Sequence, residues 1–153
     1  MKHFQNYEHT QPGTLIRILM MLAIFIVGTG GAAYLMQGIA PAAAVCVGMA
    51  VLFVFIFALF HSLTVHVSQS EVSLRFGVGI VTKRFLTEDI ESVSAVRSHW
   101  YNGWGVRKIM GGWLFNVSGF DAVEIRHANG KRYRIGTDEP KALLSAIQSA
   151  TAS

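Results

Sequence analysis

From position 18 to position 70 the chain carries no Asp, Glu, Lys or Arg, a charge-free run of 53 residues between Arg17 and Glu71. A run of that length holds two apolar helices of about 20 residues, the length needed to cross a bilayer's hydrocarbon core. It is interrupted around Gln37, Gly38 and Pro41, which supply turn chemistry. The pattern predicts a helical hairpin, Leu15–Met36 and Pro41–His61, after a tail over residues 1–14 and before a domain over residues 62–153. The first apolar stretch is too long for the core of a cleavable signal, and a second follows at once, so it is expected to be retained. The chain's 52% hydrophobic and 14% charged residues fit the same class.

Orientation follows from the 13 Lys and Arg residues. Lys2 and Arg17 precede the hairpin, its turn is uncharged, and the other eleven (13 − 2) follow it. The positive-inside rule then places both termini in the cytoplasm, with the chain a multi-pass protein of the inner membrane. That bias also accounts for the sequence pI of about 9.5, so nucleic acid is not an expected partner. The single Cys46 lies inside the second span and has no partner for an intramolecular disulfide. Gly28, Gly31 and Ala32 on the first helix, and Ala44 and Gly48 on the second, have spacings that let helix backbones approach closely. They serve either packing of the two helices on each other or recruitment of a partner helix. His61 ends the second helix, where its polar tip reaches headgroup depth.

Past His61 the apolar period changes from helix to strand. Leu63, Val65 and Val67 alternate with polar residues, as do Val72, Leu74, Phe76 and Val78. Ile80–Leu86 and Glu91–Arg97 are weaker strands; Trp113–Val117, Val123–Ile125 and Tyr133–Ile135 complete seven. Seven short strands in about 75 residues imply an antiparallel sandwich or barrel. The stretch Thr137-Asp138-Glu139-Pro140 then starts a helix with an apolar face of Leu143, Leu144 and Ile147. Around Asn129-Gly130, a two-residue turn sets Ile125 against Arg134, whereas a three-residue loop sets Ile125 against Tyr133 and Val123 against Ile135. Burial selects the second register, because a one-residue slip turns every side chain to the other face. It sets Glu124 opposite Arg134, and Arg126 opposite Arg132.

If successive strands simply reverse, the turns at Gly77–Gly79, Ser98–Gly112 and Ala128–Gly130 lie at the bilayer. Those at Ser68–Glu71, Thr87–Ile90 and Gly119–Asp121 lie away from it. The same parity brings Arg97, Arg107, Lys108, Arg126, Lys131 and Arg132 to the membrane side, where cations are favoured beside an anionic leaflet. Trp100, Tyr101 and Trp104 would then occupy the level of an aromatic belt. For Trp104, between two glycines, packing over the turn competes with anchoring at the interface.

The segments WYNGWGVR (Trp100–Arg107), Val117-Ser118-Gly119, Asn129-Gly130-Lys131 and IGTDEP (Ile135–Pro140) resemble the bacterial pleckstrin-homology-like (PH-like) membrane proteins. Nearly the whole chain takes part, with Val106 where that family has isoleucine. The resemblance implies a membrane α-helical hairpin followed by a mainly-β PH-like domain: two near-orthogonal antiparallel sheets closed by a C-terminal helix. It implies little about activity, since such folds bind lipids, proteins or neither.

The chain has no nucleophile elbow and no phosphate-cradling loop opening a helix. Its six His residues lack metal-ligand spacing. The expectation is therefore a non-catalytic scaffold or accessory subunit, without cofactor or metal, that docks on a membrane protein or on itself. The alternative is a sensor of anionic lipid headgroups using Arg107, Lys108, Arg126, Lys131 and Arg132. An enzyme would need a site that no motif here announces.

Overall fold

The computed structural model describes residues 6–98 and 103–152. Two long helices, α1 (Thr14–Met36) and α2 (Ala40–Phe60), form the expected hairpin within a residue or so at each end. Both are long and apolar enough to cross a membrane, and only 6% of each apolar window is buried inside the protein. Their surfaces therefore need an apolar surrounding from outside the chain.

The N-terminal segment is not a separate tail. Tyr7–Pro12 forms strand β1, antiparallel to β2 (Ser62–Val67), with Tyr7 opposite Val67 and Pro12 opposite Ser62. The whole hairpin is thus inserted at the turn of a two-stranded ribbon. The ribbon grows through β3 (Glu71–Phe76) and β4 (Val81–Leu86) into a four-stranded sheet in the order β1-β2-β3-β4. A single 3-10 turn at Thr87–Asp89 leads to the second sheet, built from β5 (Ile90–Arg97), β6 (Gly105–Ile109), β7 (Gly112–Asn116), β8 (Asp121–His127) and β9 (Arg132–Gly136). Its order is β5-β8-β9-β7-β6, antiparallel except for β7 beside β9. With the C-terminal helix α3 (Pro140–Thr151), this is a PH-like arrangement of two sheets and a helix, with nine described strands where seven are expected.

Alternation builds the core. Leu63, Val65, Val67, Val72, Leu74 and Phe76 of the first sheet meet Phe115, Val123, Ile125, Tyr133 and Ile135 of the second, and α3 adds Leu143, Ile147 and Ala150. Each large side chain buried this way contributes about 1.5–3 kcal/mol. Proline fits the first turn of α3 because its missing N–H would be unpaired there anyway, and Thr137 Oγ1 accepts the amide of Glu139 at 3.0 Å. The three-residue loop is present: Ile125 opposes Tyr133, Glu124 opposes Arg134 and Arg126 opposes Arg132, with Gly130 at φ +79°.

The simple strand parity fails after β5, because the expected Ser98–Gly112 loop contains β6. Gly105 of β6 lies opposite Asn116 and Ile109 opposite Gly112, so the chain runs out and back once more before β8. One additional strand inverts the placement of everything downstream. The Ala128–Gly130 turn lies beside the 3-10 turn, its Ala128 amide donating to the Asp89 carbonyl at 2.9 Å, at the end of the domain away from the hairpin. The Gly119–Asp121 loop comes to the hairpin end instead.

Candidate functional site

The four last carbonyls of any helix lack partners within it. In α2 the Ala58 carbonyl is taken up by the β domain, and the carbonyl of the capping residue His61 by Gly13 and by Arg17 of α1. The Val78 amide donates to the Ala58 carbonyl at 3.1 Å, and His61 Nδ1 lies 3.1 Å from the same oxygen. The Gly13 amide and Arg17 Nε both donate to the His61 carbonyl at 2.9 Å. The Gly77 amide donates to Ser62 at 2.8 Å. Gly77 has φ +45°, and any Cβ there would overlap the Ala58 and Leu59 carbonyls, so this approach needs glycine. Phe60, the last residue of α2, packs edge-on to Phe76 at 5.8 Å between centroids. Helix and core join without a linker. The His61 ring stacks on Phe57 at 5.6 Å, so it is engaged within the chain.

Two apolar loops share this end. The β3–β4 turn presents Val78 and Ile80, 62% and 67% exposed. On the other side of the hairpin base, buried Gln11 of β1 donates from Nε2 to the Ser118 carbonyl at 3.0 Å. Asn116 closes the same loop from both ends of its amide: Nδ2 donates to the Gly119 carbonyl, and Oδ1 accepts from the Ser118 amide. The Ser98 amide donates to the Phe120 carbonyl at 2.6 Å, while the Phe120 side chain is exposed. Trp104 is at this end too, next to Gly105 opposite Asn116; it is half-buried, and its Nε1 is buried with no partner among the described residues.

The residues expected to form a basic membrane edge do not stay together. Trp100 and Tyr101 lie outside the described residues. Arg107 and Lys108 are exposed on β6, on opposite faces of the strand, and Arg107 Nε donates to the Trp104 carbonyl at 3.2 Å. Arg126, Lys131 and Arg132 sit at the far end, because β6 reverses the parity that brings them to the hairpin. Helix packing also differs in phase. Gly31 packs against Cys46 and Ala43 is buried, but Ala32 and Ala44 are exposed, and space is open beside Gly28 and Gly48. Where nearly every position of a span is apolar, periodicity gives no phase.

A polar clasp holds β1 to the start of α3. His9 Nε2 lies 2.6 Å from Asp138 Oδ1, and Tyr7 Oη donates to Glu139 Oε2 at 3.4 Å. Burial, then the Glu139 carboxylate, push the Tyr7 phenol up to about 12. Among the described residues no group of three or more His, Cys, Asp or Glu side chains is arranged to hold a metal ion. Sequence reasoning did not pick out Gln11, Ile80 or Phe120. Val78 and Ile80 were legible as an apolar pair on a glycine turn, whereas Gln11 carried no signal.

No family model matches the chain, and no curated protein sequence matches it.

Proposed function

We propose that the chain is a membrane-anchored PH-like module that acts as a non-catalytic scaffold or accessory subunit for a membrane protein. In this reading α1 and α2 cross the inner membrane, both termini face the cytoplasm, and the likeness to bacterial PH-like membrane proteins reflects kinship. The observation that carries it is the pairing of β1 with β2 across the hairpin, Pro12 opposite Ser62. Antiparallel partners begin and end side by side, so the two spans leave and re-enter one face of one domain. A module seated so firmly holds its surfaces at a constant height above the bilayer. Such a fixed height serves docking on a neighbour held at the same level of the membrane.

The outer edge of β5 favours a protein neighbour. It ends the second sheet, and its middle, Ser92-Val93-Ser94-Ala95, has neither charge nor proline to blunt the edge. α3 packs beside β5 and a register shift at Ile90/Ser92 bends its start, so the largely exposed, uncharged stretch from Ser92 to Ala95 is where a strand from another chain would pair. The headgroup-sensor reading loses Arg126, Lys131 and Arg132 to the far end of the domain.

A photo-reactive residue at Ser94 of the full chain, irradiated in native membranes, tests the proposal. A discrete protein adduct of constant mass supports docking, whether the neighbour is another protein or a second copy. Absence of any protein adduct, with bound anionic lipid that is lost in Arg107→Ala/Lys108→Ala, replaces it with lipid sensing.

A further inference from the structure

We infer that the hairpin end of the β domain is itself a lipid-contacting surface, in which Val78, Ile80 and Phe120 enter the interfacial layer of the bilayer. The inference rests on the reading that α1 and α2 cross that bilayer.

Depth is the first reason. Val78 is bonded to Ala58, two residues inside the end of α2, which is about 3 Å back along the helix axis at 1.5 Å per residue. The turn therefore lies beside the last turn of an apolar span, level with Phe57 and Phe60.

Composition is the second. From Phe76 to Thr82 the chain reads FGVGIVT, uncharged, with Arg75 and Lys83 at its borders. Arg75 is exposed at the hairpin end of β3, and its stem lies along Gly79. An apolar tip with a cation just behind it suits the boundary between acyl chains and phosphates, where an arginine stem lies along apolar surface and its head reaches polar groups.

Bracketing is the third. The Gly77–Ile80 turn belongs to the first sheet and adjoins α2. The Ser118–Phe120 loop belongs to the second sheet and is held by Gln11, two residues before the hairpin begins at Gly13. Two unrelated segments thus present exposed apolar side chains on either side of the hairpin base. Met110 is more exposed still, at 93%, but stands in the turn between β6 and β7, at the far end.

The test uses the full chain with Cys46→Ala, reconstituted in vesicles of neutral and anionic phospholipid. Single cysteines at Val78, Ile80, Phe120, Met110 and Phe55 carry an environment-sensitive fluorophore; all five native side chains are exposed, so labelling does not disturb the core. Quenching by lipid-borne spin labels and shielding from aqueous iodide are expected at 78, 80 and 120, with the reverse at 110. If the label at 55 is quenched by lipid while 78 and 120 behave like 110, the inference falls and the spanning hairpin stands. If the label at 55 is also reached by iodide, the spanning hairpin falls with it. Shielding of 78 and 120 from both quenchers means that protein covers this face, which overturns the lipid assignment.

Discussion

The backbone amide of Val78 donates to the carbonyl of Ala58 at 3.1 Å, so a turn of the β domain completes the C-terminus of a membrane-length helix. Gly77 makes that approach possible. Gly77→Ala carries a left-handed penalty of about 1–2 kcal/mol. It adds overlap with the Ala58 carbonyl, for a total loss of about 3 kcal/mol. Gly130→Ala meets the same kind of backbone strain in open space and loses about 1–2 kcal/mol. Thermal unfolding in detergent, followed by tryptophan fluorescence, should show the larger drop in Tm for Gly77→Ala.

Tyr7 gives the domain an alkaline limit. Its phenol is raised from the ordinary 10.0 to about 12 in the folded chain, by burial first and Glu139 second. The folded state thus holds this proton more tightly than the unfolded state. The stabilisation is complete below pH 10 and is lost as pH rises through about 12. Tyr7→Phe should remove that component of the pH dependence, read from denaturant midpoints of the wild type and the variant between neutral pH and pH 12.

Much of the fold was legible because burial leaves period-two marks. The β8–β9 register came from asking which pairing puts Val123, Ile125, Tyr133 and Ile135 on one face, and the observed pairing is that one. The helical hairpin was legible from absence of charge alone. What escaped were the two strands whose inward side chains are not apolar runs. In β1 the inward residues are Tyr7, His9 and Gln11, which bond Glu139, Asp138 and the Ser118 carbonyl respectively, the Gln11 Oε1 being buried with no partner among the described residues. In β6 only Val106 packs on the core, and the strand sits at a sheet edge where Arg107 and Lys108 face water. The Gly111-Gly112 pair was the one signal for its turn. Missing β6 then misplaced Arg126, Lys131 and Arg132, since side-chain position in an antiparallel fold depends on counting every reversal.

The Glu124–Arg134 pair, with 2.7 Å from Oε2 to Nε, is the half-buried ion pair that ties β8 to β9. A double-mutant cycle through Glu124→Gln and Arg134→Met should return a coupling of about 1 kcal/mol, at the upper end for pairs near a surface. It should shrink little in high salt, because partial burial limits screening. Denaturant unfolding of the four proteins checks both statements.

Because Pro12 faces Ser62, residues 13–61 occupy the place of a hairpin loop. Replacing them with Asn-Gly, a good two-residue turn, should leave a soluble domain with the native β1–β2 register. It should be less stable than the parent by the lost packing of Phe60 on Phe76. A fragment of residues 62–153 lacks β1, exposes the edge of β2 and should aggregate. Size-exclusion chromatography and backbone NMR separate the two outcomes.

The rigid joint between hairpin and domain is tested most directly by amide hydrogen exchange of the full chain in lipid, read at Val78. An amide bonded to the Ala58 carbonyl beside an apolar helix exchanges only when the joint opens, so protection comparable to that of the β2–β3 ladder is expected. Exchange at Val78 as fast as in an unstructured peptide contradicts the joint, and with it the picture of a β domain fixed on its own hairpin.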